Sequence, residues 1–105
     1  MILDLNIFTL DFGKMDVSSN EHFKKVEEEF RELEYAFSDY TEGKKQNIHP
    51  AEIEEYRQHL CDEALDMIQA SISFVSFLRY QGIMIDEDIE KWMEKLEKRK
   101  KKYLK

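Results

Sequence analysis

The chain has 105 residues, 42% of them hydrophobic and 37% charged, with only three Gly and one Pro, which fits one helical domain and excludes both a disordered segment and two separate cores. Its net charge of −7 argues against general binding to nucleic acid backbones, and the charge is uneven, with +6 on residues 95–105 and −13 on the rest. The single cysteine, Cys61, can form no internal disulfide, no secretory signal is evident, and the longest uncharged run, Met67 to Leu78, is twelve residues where a membrane span needs about 20, so a cytoplasmic protein without a membrane partner is expected.

Residues 1–17 show no single period and are expected to form an arm or short helix ahead of a helical domain over 18–105. A first helix is predicted to start at Ser18, where Ser18 to Glu21 has the spacing of a capping box. Its apolar residues Phe23, Val26, Phe30, Leu33, Phe37 and Tyr40 make one stripe, and Gly43 is placed to end it. Pro50 suits the first position of a second helix running to about Tyr80, with His49 read as a loop residue and His22 and His59 as polar-face residues. Ile53, Tyr56, Leu60, Ala64, Met67, Ser71, Val75 and Leu78 continue its inner stripe, and its second half is apolar nearly all round, as at the centre of a bundle. Gly82 breaks this helix, Asp86 is the expected cap of a third, and Ile89, Trp92, Met93 and Leu96 supply that helix's inward face. The fold expected is all-α, an antiparallel helical bundle of three main helices plus a short N-terminal arm. Three amphipathic helices cannot cover both stripes, so the bundle is expected to be completed by homo-oligomerisation.

With 23 acidic residues, acid pairs three apart arise by chance, so position must carry the argument. Glu29 lies about 70° from the middle of the first helix's stripe and Glu32 about 130°, and Glu63 and Asp66 hold the same angles on the second. Antiparallel packing through the stripes puts all four on one side, with about 4.5 Å of stagger. Such a cluster is costly unless cations neutralise it, and all-oxygen ligation favours Mg²⁺ or Mn²⁺ over Zn²⁺. No His stands three residues after a Glu, as a di-iron bundle would require, and Cys61 reads as a small core or boundary residue.

Glu28-Glu29-Phe30-Arg31-Glu32 resembles the EExxE motif of MazG-like proteins, and Glu63-Ala64-Leu65-Asp66 resembles their ExxD motif. Gln81-Gly82-Ile83, the acidic helix start after it and the run Lys95 to Tyr103 are similar to the family's last helix; the resemblance spans roughly residues 20–103. It implies a dimer or dimer of dimers that hydrolyses a nucleoside triphosphate to the monophosphate and pyrophosphate. By that resemblance Glu29, Glu32, Glu63 and Asp66 bind Mg²⁺, with Mn²⁺ as a substitute, and Lys95, Arg99 and Lys102 are candidates for triphosphate contacts. Glu28 is placed to position the attacking water or to orient a ligand.

Two alternatives stand beside this reading. One is a non-enzymatic helical interaction module, in which the stripes form an oligomer and the charges solubilise it. The other is a dUTPase-like or phosphoribosyl-ATP pyrophosphohydrolase-like member of the same helical superfamily. Tyr80, Trp92, Phe8 and Phe12 could stack on a base, though aromatic residues at this spacing are more often core.

Overall fold

The computed structural model describes residues 19–103, so the expected arm over 1–17, with Phe8 and Phe12, and the start signal at Ser18 lie outside the described residues. Three helices and no strand make up the described chain: α1 (Ser19–Lys45), α2 (Pro50–Tyr80) and α3 (Asp86–Tyr103). The all-helical class expected from composition is observed.

α1 and α2 form an antiparallel hairpin, and all the helix-on-helix packing of the described residues is between them. On α1 the buried positions are His22, Glu29, Ala36 and Gly43, at a strict interval of seven. Across from them, Tyr56 lies beside Gly43, Glu63 beside Glu29, and Phe77 beside His22, whose ring centroid is 4.7 Å away. This seam differs from the predicted stripe. Phe23, Phe30 and Phe37 are each about half exposed (49%, 50% and 58%), because the α1 seam runs about 70° around the helix from the middle of that stripe, through its small residues, while Val26, Leu33 and Tyr40 stay partly buried. Ala36, Gly43 and Ala70 let the two backbones approach where three phenylalanines would hold them apart. His22, expected on the polar face, is therefore buried.

The helix ends follow local chemistry. Gly43 does not end α1; it is buried inside the helix, where an added Cβ would stand 3.0 Å from Ile48 Cδ1 and 3.2 Å from Tyr56 Cδ2. The turn is made by Asn47 in the left-handed region (φ 51°). Its N–H donates to the carbonyl of Lys44 and that of Ile48 to Gly43, the paired bonds of a Schellman ending. α2 starts at Pro50 as predicted, but His49 is its cap: Nδ1 accepts the N–H of Ala51 at 3.1 Å. Gly82 (φ 75°) closes α2 by the same paired bonds, to Arg79 and from Ile83 to Leu78.

α3 departs more from expectation. Asp86 is inside the helix, 3.4 Å from Arg79, and Asp88 performs the capping by accepting the N–H of Ile85 at 3.0 Å. No α3 residue is buried, and its expected inward face is only half covered, with Trp92 54% and Met93 56% exposed. Likewise the second half of α2 buries only Ala70, Ser73 and Phe77, so in the single chain it is not the enclosed centre that its composition suggested.

Candidate metal centre

The hairpin brings three of the four expected carboxylates together. Glu29 and Glu32 from α1 and Glu63 from α2 each offer one oxygen, and these three atoms lie within 4.8 Å of one another. Asp66 is not in this group; it sits one turn further along α2 and is exposed. The physical reason is that both helices are turned from their predicted stripes. Glu29 and Glu63 stand on the seam itself rather than on its flanks, and Asp66 is left toward solvent.

Two of the three are unusual for acids. The side chain of Glu29 is 8% exposed and that of Glu63 12%. In each, one oxygen is committed: Lys25 Nζ is 2.9 Å from Glu29 Oε1, and His59 Nε2 is 3.1 Å from Glu63 Oε1. The other oxygen, Oε2 of Glu29 and of Glu63, is buried and has no partner in the protein. Glu32 reaches Glu63 closely enough for the two to share a proton, and its pKa is raised, first by the Glu29 charge, then by partial loss of water and by that shared proton. Two ionised carboxylates offer acceptors and no donor, so what belongs between them is a proton or a cation.

The donor set suits a hard divalent ion. Oxygens on opposite sides of Mg²⁺ are about 4.2 Å apart and around Ca²⁺ about 4.6–5.2 Å. A group within 4.8 Å can therefore close on one cation with small adjustments. Three carboxylates from two helices leave the remaining positions to water or phosphate oxygen, an open rather than a closed site.

The other residues singled out in the sequence are dispersed. Glu28 is exposed, 3.6 Å from Lys25 Nζ, beside the cluster but outside it. Lys95, Arg99 and Lys102 are exposed on α3, which packs along neither α1 nor α2, and no ion pair joins them to the three glutamates. Cys61, expected at a core or boundary position, is exposed. Tyr80 is 61% exposed, and Trp92 lines an open groove of about 420 Å³ with Val75, Met84, Ile89 and the edge residues Arg79 and Asp88. Val75 is about 18 Å along α2 from Glu63, so this groove is separate from the carboxylate cluster. The sequence marks Lys25 and Arg31 as basic residues too few to neutralise the cluster and His59 as a polar-face residue, but not that Lys25 and His59 each face one of its glutamates. The signal was present: each stands one helical turn before a seam glutamate, within side-chain reach.

No family model, no curated protein and no solved structure matches the chain.

Proposed function

We propose that this chain is a Mg²⁺-dependent nucleoside triphosphate pyrophosphohydrolase whose cation is held by Glu29, Glu32 and Glu63, with Asp66 at the edge of the site. The observation that carries this reading is the pair of buried glutamate oxygens without partners inside a three-carboxylate cluster. The resemblance of residues 28–32 and 63–66 to the MazG-like motifs supplies the substrate class and the reaction.

When bound, a divalent cation neutralises phosphate charge and makes a coordinated water acidic enough to attack phosphorus. The chain's own residues position and exclude. The packed seam fixes Glu29 and Glu63 on two helices, so neither can move away from the other without opening the hairpin. Glu28, on the solvent side next to Glu29, is the group placed to hold the water. Lys95, Arg99 and Lys102 can attract the β- and γ-phosphates, and since α3 leaves its own hairpin uncovered, this contact calls for α3 of a second copy. The attack falls on the α-phosphorus, the bond to the β-phosphate oxygen breaks, and pyrophosphate leaves. Hydrolysis of ordinary and modified NTPs and dNTPs in ¹⁸O-labelled water tests this. Label in the monophosphate with unlabelled pyrophosphate is expected; orthophosphate plus a diphosphate, or no turnover with Mg²⁺ across the panel, overturns it.

The half-exposed series Phe23, Phe30 and Phe37 favours a second reading, a helical interaction module without activity. Such a module gains little thermal stability from millimolar Mg²⁺, whereas a protein that binds the ion in its folded state melts higher.

A further inference from the structure

The two buried glutamates are held in the same way, and that symmetry has a chemical consequence. Each pairs its Oε1 with a basic group one turn earlier on its own helix, Lys25 for Glu29 and His59 for Glu63, and each leaves only Oε2 unpaired and buried. His59 Nε2 is 3.1 Å from Glu63 Oε1, within reach for its N–H to donate to that oxygen. An oxygen that already faces a basic group is the poorer ligand, so each glutamate presents its unpaired Oε2 to a cation first.

We infer that Lys25 and His59 are specificity-determining positioning residues, which keep Glu29 and Glu63 monodentate and so tune the proposed centre toward Mg²⁺ and Mn²⁺ and away from Ca²⁺; this rests on the metal reading given above. The physical basis is coordination number. Mg²⁺ takes six ligands at 2.0–2.1 Å in near-octahedral geometry and keeps several waters, which single oxygens permit. Ca²⁺ takes six to eight at 2.3–2.6 Å, and bidentate carboxylates are how compact sites reach that number. Turning either glutamate to bidentate makes the cation compete with Lys25 or His59 for Oε1. The arrangement therefore penalises the larger ion selectively.

Removing the Lys25 charge strengthens the binding of any divalent cation, so the affinity for one ion alone is a poor readout. The ratio of Ca²⁺ to Mg²⁺ affinity is better, because both ions carry the same charge and the general electrostatic gain cancels. Calorimetric titration of the full chain with each ion, on wild type, Lys25→Met, His59→Leu, and the donor-retaining Lys25→Arg and His59→Gln, reads it directly. The Ca²⁺/Mg²⁺ ratio is expected to rise about tenfold in each donorless variant, the lower range for groups that orient metal ligands. It should return toward wild type in the donor-retaining pair. Helical circular dichroism confirms that each variant is folded. Wild-type binding with a ratio unchanged within twofold in both donorless variants overturns this inference alone; a wild type that binds neither ion at millimolar concentration overturns the metal reading and this inference with it.

Discussion

A carboxylate that is 8% exposed with one oxygen unpaired has lost hydration that nothing in the protein returns. Without a cation, Glu29 and Glu63 are therefore expected to weaken the fold. Replacing either with Gln, which removes charge at constant shape, should raise the melting temperature in chelator and abolish the further rise that the proposed Mg²⁺ site predicts for wild type. Glu52→Gln with Glu55→Gln, an exposed pair at the same spacing, should do neither. Asp66→Asn should have a smaller effect on both measurements than the buried pair. Glu32 adds a pH dependence. Its folded pKa is raised above the ordinary 4.5, so between 4.5 and the raised value the native state binds more protons than the unfolded chain. Stability in chelator should fall as pH rises through that window and be regained as pH is lowered again. Urea melts across pH 4–7 should show this slope, and both Glu32→Gln and saturating Mg²⁺ should reduce it.

At the level of the helices, the sequence punctuation was legible where one residue type has one use. Pro50 begins α2, and Gly82 ends it with a positive φ. Gly43 misled because glycine has two uses, ending a helix and letting another element come close; the seven-residue spacing from His22 through Glu29 and Ala36 was the clue to the second. Asn47, the residue that does turn left-handed, tolerates that conformation through its short polar side chain. Asn47→Ala is expected to cost about 1 kcal/mol in equilibrium unfolding, while Asn47→Gly should be neutral or stabilising. Gly43→Leu should cost about 1–3 kcal/mol by overpacking against Ile48, Ile53 and Tyr56. The carboxylate cluster was legible to within one residue. Helical angles put Glu29, Glu32 and Glu63 together, but their reference line was the centre of the apolar stripe. Here the helices pack through the small residues Ala36, Gly43 and Ala70, about 70° from that line, and that difference leaves Asp66 outside.

Among the described residues of the molecule, no large side chain is fully buried, and the apolar core is Ala36, Ala70 and Phe77. The radius of gyration, 17.2 Å, exceeds the roughly 13 Å of a compact chain of about 100 residues. A hairpin this thin, with Phe23, Phe30 and Phe37 in a row along one side, is expected to pair with a second copy through that side. Phe30→Glu should shift sedimentation toward monomer at micromolar concentration and lower the melting temperature with it; a wild type already monomeric there contradicts this expectation. The expected association and the proposed metal binding should be separable, since the phenylalanine series lies about 100° around α1 from the seam residue Glu29. The claim on which the account turns is that this seam is a divalent-cation site, and Mn²⁺ titration followed by electron paramagnetic resonance measures it most directly. Wild type should remove free Mn²⁺ signal with saturation, Glu63→Gln should not, and Mg²⁺ should compete the bound ion off. If the wild-type signal stays that of the free aqueous ion at millimolar Mn²⁺, the three glutamates are only a strained acidic seam and the proposed hydrolase has no metal centre.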